Sequence, residues 1–71
     1  MIVRHVPDLG NHSLELDFGR EGRTVASGIP SWRTARAVVD ELEGLDPNTS
    51  REGYLKALDE ALRRELGATR G

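Results

Sequence analysis

From Ser31 to Leu66 the apolar residues recur every three or four positions, with one interruption at Gly44-Leu45-Asp46-Pro47. Residues three and four apart share one face of a helix, so this spacing predicts two amphipathic helices joined by a short turn. Ser31 is the expected cap of the first helix, its hydroxyl accepting from an unpaired backbone N–H of the first turn. Trp32, Ala35, Val38, Val39 and Leu42 then fill an arc of about 120° at 100° per residue. Arg33, Arg36, Asp40 and Glu43 fall on the wet side, where Arg36 reaches Asp40 one turn on. Gly44 is the expected C-cap, and Pro47 forbids continuation. Thr49 and Glu52 have the spacing of a capping box, which starts the second helix. In that helix Tyr54, Leu55, Ala57, Leu58, Ala61, Leu62 and Leu66 spread over about 180° by the same rule. Glu52–Lys56, Asp59–Arg63 and Glu60–Arg64 all stand acid-first at i,i+4, the favourable order. Gly67 is expected to stop the helix.

The residues before Ser31 follow a different period. In Ser13-Leu-Glu-Leu-Asp-Phe18, the bulky apolar side chains Leu14, Leu16 and Phe18 alternate with Glu15 and Asp17, the pattern of a strand with one dry and one wet face. Ile2 to Val6 is a short β-branched strand ended by Pro7, with a turn at Gly10-Asn11. Gly19-Arg-Glu-Gly22 turns the chain back into a third strand, Arg23–Ser27, which brings Arg23 opposite Glu15 or Asp17. The predicted fold is α+β: a three-stranded antiparallel meander followed by two helices packed on one face (β-β-β-α-α). The sheet is expected at about residues 1–28, the helices at about 31–44 and 50–66, and a tail at 67–71, all within a single small domain.

A chain of 71 residues buries only about 60% of its unfolded surface. It has no Cys, which removes disulfides, thiol catalysis and thiolate metal sites. Ten basic residues against twelve acidic ones give a net charge of −2, no electrostatic footprint for nucleic acid or an acidic membrane. The first residues hold no apolar run long enough for a signal peptide, and no stretch is long enough to span a bilayer, so the default expectation is the cytoplasm.

The chemistry-bearing residues form no recognisable constellation. His5, Asp8 and His12 straddle a turn without metal-site spacing and are expected to be separate edge or surface groups. No metal or cofactor is expected, and zinc should leave the melting temperature unchanged. Glu15 and Asp17 share a wet sheet face rather than a pocket. Gly19–Gly22 lacks the Lys-Ser/Thr and the strand-to-helix setting of a phosphate loop. Asp40, Glu41, Glu43 and Asp46 are an acidic cluster that reads as solvated surface, or as a dock for a basic partner. Trp32 reads as a core anchor, with a binding hot spot as the alternative.

The three-strands-then-helix layout is similar, in topology only, to DNA-binding domains of certain recombinases and plant transcription factors, and to small antitoxin-like domains. Glu15 and Asp17 on the wet sheet face would repel phosphate. The expected function is a small non-enzymatic protein-interaction module, a regulator or inhibitor of phage or mobile-element type. Its partner is another protein or a second copy of the chain, bound through the second helix by Leu55, Leu62, Leu66, Tyr54 and Arg63. The alternative is nucleic-acid binding through Arg33, Arg36, Arg63 and Arg64.

Overall fold

A computed structural model describes residues 1–70, with the side chains of Asp8 and of residues 68–70 excepted. The elements are β1 (Ile2–Asp8), β2 (Asn11–Asp17), β3 (Arg23–Ile29), α1 (Trp32–Glu43) and α2 (Arg51–Arg70). The sheet is antiparallel in the order β1-β2-β3, and the architecture is β-β-β-α-α, as the alternating and helical periods predict.

β2 is the central strand, and its alternation decides which face is covered. Leu14 and Leu16 are completely buried. Each contributes roughly 1.5–3 kcal/mol by leaving water. α1 lies across β2 and β3 and sets Ala35, Val38, Val39 and Leu42 against them. α2 packs along α1 through Tyr54, Leu58 and Ala61, and its first turn meets the loop after β2, where the Tyr54 and Phe18 rings stand 6.2 Å apart.

β1 and β2 are joined by the two-residue turn Leu9-Gly10, with Asp8 opposite Asn11. Both turn residues have positive φ, 44° at Leu9 and 86° at Gly10, as a type I′ hairpin requires. A second irregularity lies between β2 and β3. His12 faces Ile29 but Leu14 faces Ala26, so Ser27 and Gly28 together oppose Ser13 in a β-bulge, with Gly28 at φ 74°. The extra residue resets the alternation of β3. Thr24 and Ala26 face the helices, and the bulge brings Ile29 rather than Gly28 to the same side, where only 2% of it is exposed.

Helix ends follow local chemistry. The Ser31 hydroxyl accepts from the Thr34 N–H at 3.1 Å and starts α1 as expected, and Gly44 caps its far end. α2 is capped by Ser50, not Thr49: the Ser50 hydroxyl accepts from the Gly53 N–H at 3.1 Å. Thr49 instead sends its methyl to Gly53, 2.7 Å from where a Cβ there would lie. Gly53 is thus required by close approach, despite its cost of about 1 kcal/mol within a helix. Nor does Gly67 end α2; the helix runs on to Arg70, because glycine weakens a helix without terminating it unless the backbone turns left-handed. Of the expected tail, Gly71 lies outside the described residues.

Other expectations are corrected in the core. Phe18 follows β2 rather than belonging to it. It adopts φ −99° and ψ 15° ahead of a 3-10 turn at Gly19–Glu21, and is half-buried. Trp32 is no core anchor; it is 60% exposed. Side chains of a helix lean toward its N-terminus, so one in the first position overhangs the start of the helix instead of the sheet beneath it.

Two stability changes follow. Leucine pays roughly 1–2 kcal/mol in the left-handed region, which asparagine visits more readily. Leu9→Asn should therefore raise stability by about 1 kcal/mol, measured by denaturant titration, since Leu9 is 99% exposed and gives up no packing. Gly53→Ala alone should gain nothing, whereas in a Thr49→Ser background, with the obstructing methyl gone, it should recover about 1 kcal/mol.

Candidate interaction surface

Residues directly opposite in an antiparallel ladder point to the same face. The register therefore divides the sheet into Val3–Leu16–Thr24 and His5–Leu14–Ala26 on the helix side, and Ile2–Asp17–Arg23, Arg4–Glu15–Val25 and Val6–Ser13 on the other. No described element covers this second face. Ile2, Val6 and Val25 stand on it 55%, 44% and 60% exposed.

Charged side chains occupy the middle of the same face. Arg4 donates to Glu15 at 3.1 Å and approaches Asp17 at 3.8 Å, while Arg23 reaches Glu15 from the opposite strand at 3.4 Å. Asp17 also accepts from the Gly19 N–H at 2.9 Å, which fastens the β2–β3 loop. Glu15 and Asp17 were expected to be exposed. They are half-buried on the central strand between the guanidinium groups of the edge strands, with 22% and 27% of their side chains accessible against 52% for Arg4 and 65% for Arg23. Arginine stems bury apolar surface while their charged heads stay wet. The face thus presents β-branched methyls and guanidinium groups outermost, with carboxylates beneath.

The residues assigned to α2 from the sequence are placed differently. Tyr54 is in the core, 6% exposed, and its hydroxyl donates to the Asp46 carbonyl at 3.3 Å, tying α2 to the inter-helix turn. Leu55, Leu62 and Leu66 are half-buried, and Leu62 packs on the core. Arg63 is exposed and pairs with Asp59 at 3.1 Å, and Arg36 pairs with Asp40 at 3.3 Å, both as the spacing predicts. Arg64 bonds Glu41 on α1 across the helix pair, and that hydrogen bond, followed by the attraction of the same carboxylate, holds its guanidinium pKa above the ordinary value. Arg33 is exposed on α1. Three of these four arginines thus stand against carboxylates of the chain itself. Within the acidic cluster, Asp40 and Glu41 serve these pairs, and Asp46 accepts from the Asn48 N–H at 2.8 Å within the turn.

Sequence reasoning missed one contact. His5 Nε2 and His12 Nδ1 lie 2.7 Å apart, with ring centroids 4.9 Å apart. The two-residue turn pairs His5 with Leu14 and His12 with Pro7, making the imidazoles diagonal neighbours on the helix side. The signal was in the spacing, but it becomes visible only once the turn is fixed at Leu9-Gly10. Asp8, named with them, has its side chain outside the described residues. No cluster of three or more metal-ligating residues occurs among the described residues, and no described helix is long and apolar enough to cross a membrane.

The ion-pair row gives a measurable signature. A double-mutant cycle with Arg4→Ala and Glu15→Ala should return a coupling of about 0.5 kcal/mol at low salt, and less in 1 M NaCl, as expected for partly exposed pairs. Compared with known proteins, the chain matches no family model, no curated protein and no solved structure, so the surface is interpreted from its own geometry.

Proposed function

We propose that this chain is a small non-enzymatic protein-interaction module that docks a partner protein through the outer face of its sheet. The observation carrying this reading is the exposure of Ile2, Val6 and Val25 together on a face that no described element covers. Leu9 supports it. A wholly exposed leucine held at positive φ costs stability and adds nothing to the core, and such strain is commonly kept where a binding surface needs it.

The docking surface thereby moves from α2 to the sheet. Leu55, Leu62 and Leu66 already give much of their area to the chain itself. Nucleic-acid binding loses support for a similar reason, since Arg36, Arg63 and Arg64 are each neutralised by a carboxylate of the chain. The proposed partner offers carboxylates to the outermost Arg4 and Arg23 and apolar side chains to Ile2, Val6 and Val25 on the flanking strands. Three strands about 4.8 Å apart and seven residues long make a face of about 330 Å² in projection, below the roughly 800 Å² per partner of a standard interface. The contact is accordingly a weak, exchanging one, or one extended by Leu9 at the β1–β2 turn.

The test is capture from a lysate of the native host, followed by purification of the retained protein and calorimetric titration. Val25→Lys and Ile2→Lys should each weaken binding at least tenfold while leaving the melting temperature within about 2 °C, because both sites are exposed. Lys56→Glu, on the wet face of α2, should bind as the wild type does. Equal binding by Val25→Lys, or no protein retained by the wild type, would overturn the reading.

A further inference from the structure

The His5–His12 contact is not explained by packing or by the outer sheet face, and it is independent of the docking proposal. In a hydrogen bond between two neutral imidazoles, one nitrogen carries the proton and the other offers its lone pair. Here the facing atoms are Nε2 of His5 and Nδ1 of His12, on rings tilted 42° to each other and half-buried at the hairpin end of the sheet. The arrangement already aims two imidazole nitrogens at one small volume. We infer that His5 and His12 form a two-imidazole site for a borderline divalent transition-metal ion of the Zn²⁺ or Cu²⁺ class, with water completing the coordination.

The geometry is close to that required. Zn–N bonds of about 2.0–2.1 Å in a tetrahedral shell put two ligand nitrogens about 3.3 Å apart. Opening the pair from 2.7 Å needs about 0.6 Å of separation, which small rotations of imidazoles about their broad χ2 can supply. The donor ring frees its nitrogen for the ion by shifting its proton to its other ring nitrogen, so two neutral rings bind without releasing a proton. The backbone needs no rearrangement, because the two-residue turn holds both strands in register. Once the first imidazole binds, the second is present at a high effective concentration. Ligand chemistry sets the class of ion: imidazole suits Zn²⁺, Cu²⁺ and Ni²⁺, whereas Mg²⁺ and Ca²⁺ require oxygen donors. The cross-strand contact brings together two histidines expected to be separate, and the inferred site would reverse the expected indifference to zinc.

The experiment uses the untagged chain, since a polyhistidine tag would mask the effect. An ion that binds only the folded chain raises its melting temperature, by about 5 °C or more for a chain this size at ten times Kd. Zn²⁺ at millimolar concentration should produce this rise, EDTA should reverse it, and Mg²⁺ should produce none. His5→Gln and His12→Gln should each abolish it. Independently of the variants, zinc titration of the wild type followed by NMR should move the ring resonances of His5 and His12 together, saturating at one ion per chain. A rise that survives in both variants, or the absence of any rise and any ring shift at millimolar zinc, would overturn the site.

Discussion

Everything in this molecule hangs on one dry face of one strand. Leu14 and Leu16 of β2 are the largest side chains completely removed from water, and α1 is held where it is by covering them. α2 depends on α1 in turn, packing along it far more than on the sheet. A chain of this size has little redundancy. At roughly 0.05–0.15 kcal/mol per residue its whole stability is about 4–11 kcal/mol, and truncating one core leucine removes about 2–5 kcal/mol. The same constraint leaves the opposite face of the sheet bare, since the two helices are spent on one side.

The parts of the fold that rest on a sustained period were legible in the sequence. The alternation at Leu14 and Leu16, and the three- and four-residue spacing through Val38, Val39, Leu42, Leu58 and Ala61, named most of the buried core correctly. Errors gathered at element ends, where periodicity stops informing. Phe18 continued the period of two but follows the strand, since the chain turns into its loop there. Trp32 lay on the right arc of the helical wheel but one turn too early for the sheet to be under it. Ser50 and Thr49 were equally able caps by residue type, and only the packing of the Thr49 methyl on Gly53 separates them.

The surface was less legible than the core, and for a different reason. Which residues share a face across strands depends on register, and register depends on turns. A bulky leucine gives no type I′ signal, so the Leu9-Gly10 turn was hidden, and with it both the His5–His12 contact and the pairing of Arg4 with Glu15, whereas the Arg23–Glu15 pair across the other turn was legible. Along the apolar arc of α2 the burial is graded. Tyr54 went inside, and the leucines at 55, 62 and 66 were partly used by the chain itself.

The bulge at Ser27-Gly28 does more than turn Ile29 inward. β1 and β3 are the two edges of this sheet, and each exposes backbone groups to which a foreign strand could bond. Pro7 removes a donor from the β1 edge; it pairs with His12, which pairs on its other side with Ile29, beside the bulge. Both edges are therefore spoiled at the same end, one by a missing N–H and the other by a local twist. A strand adding to either side would lose its ladder there after a few residues. The protein can carry exposed valine and isoleucine on an uncovered sheet face while remaining guarded against edge-to-edge growth into fibres.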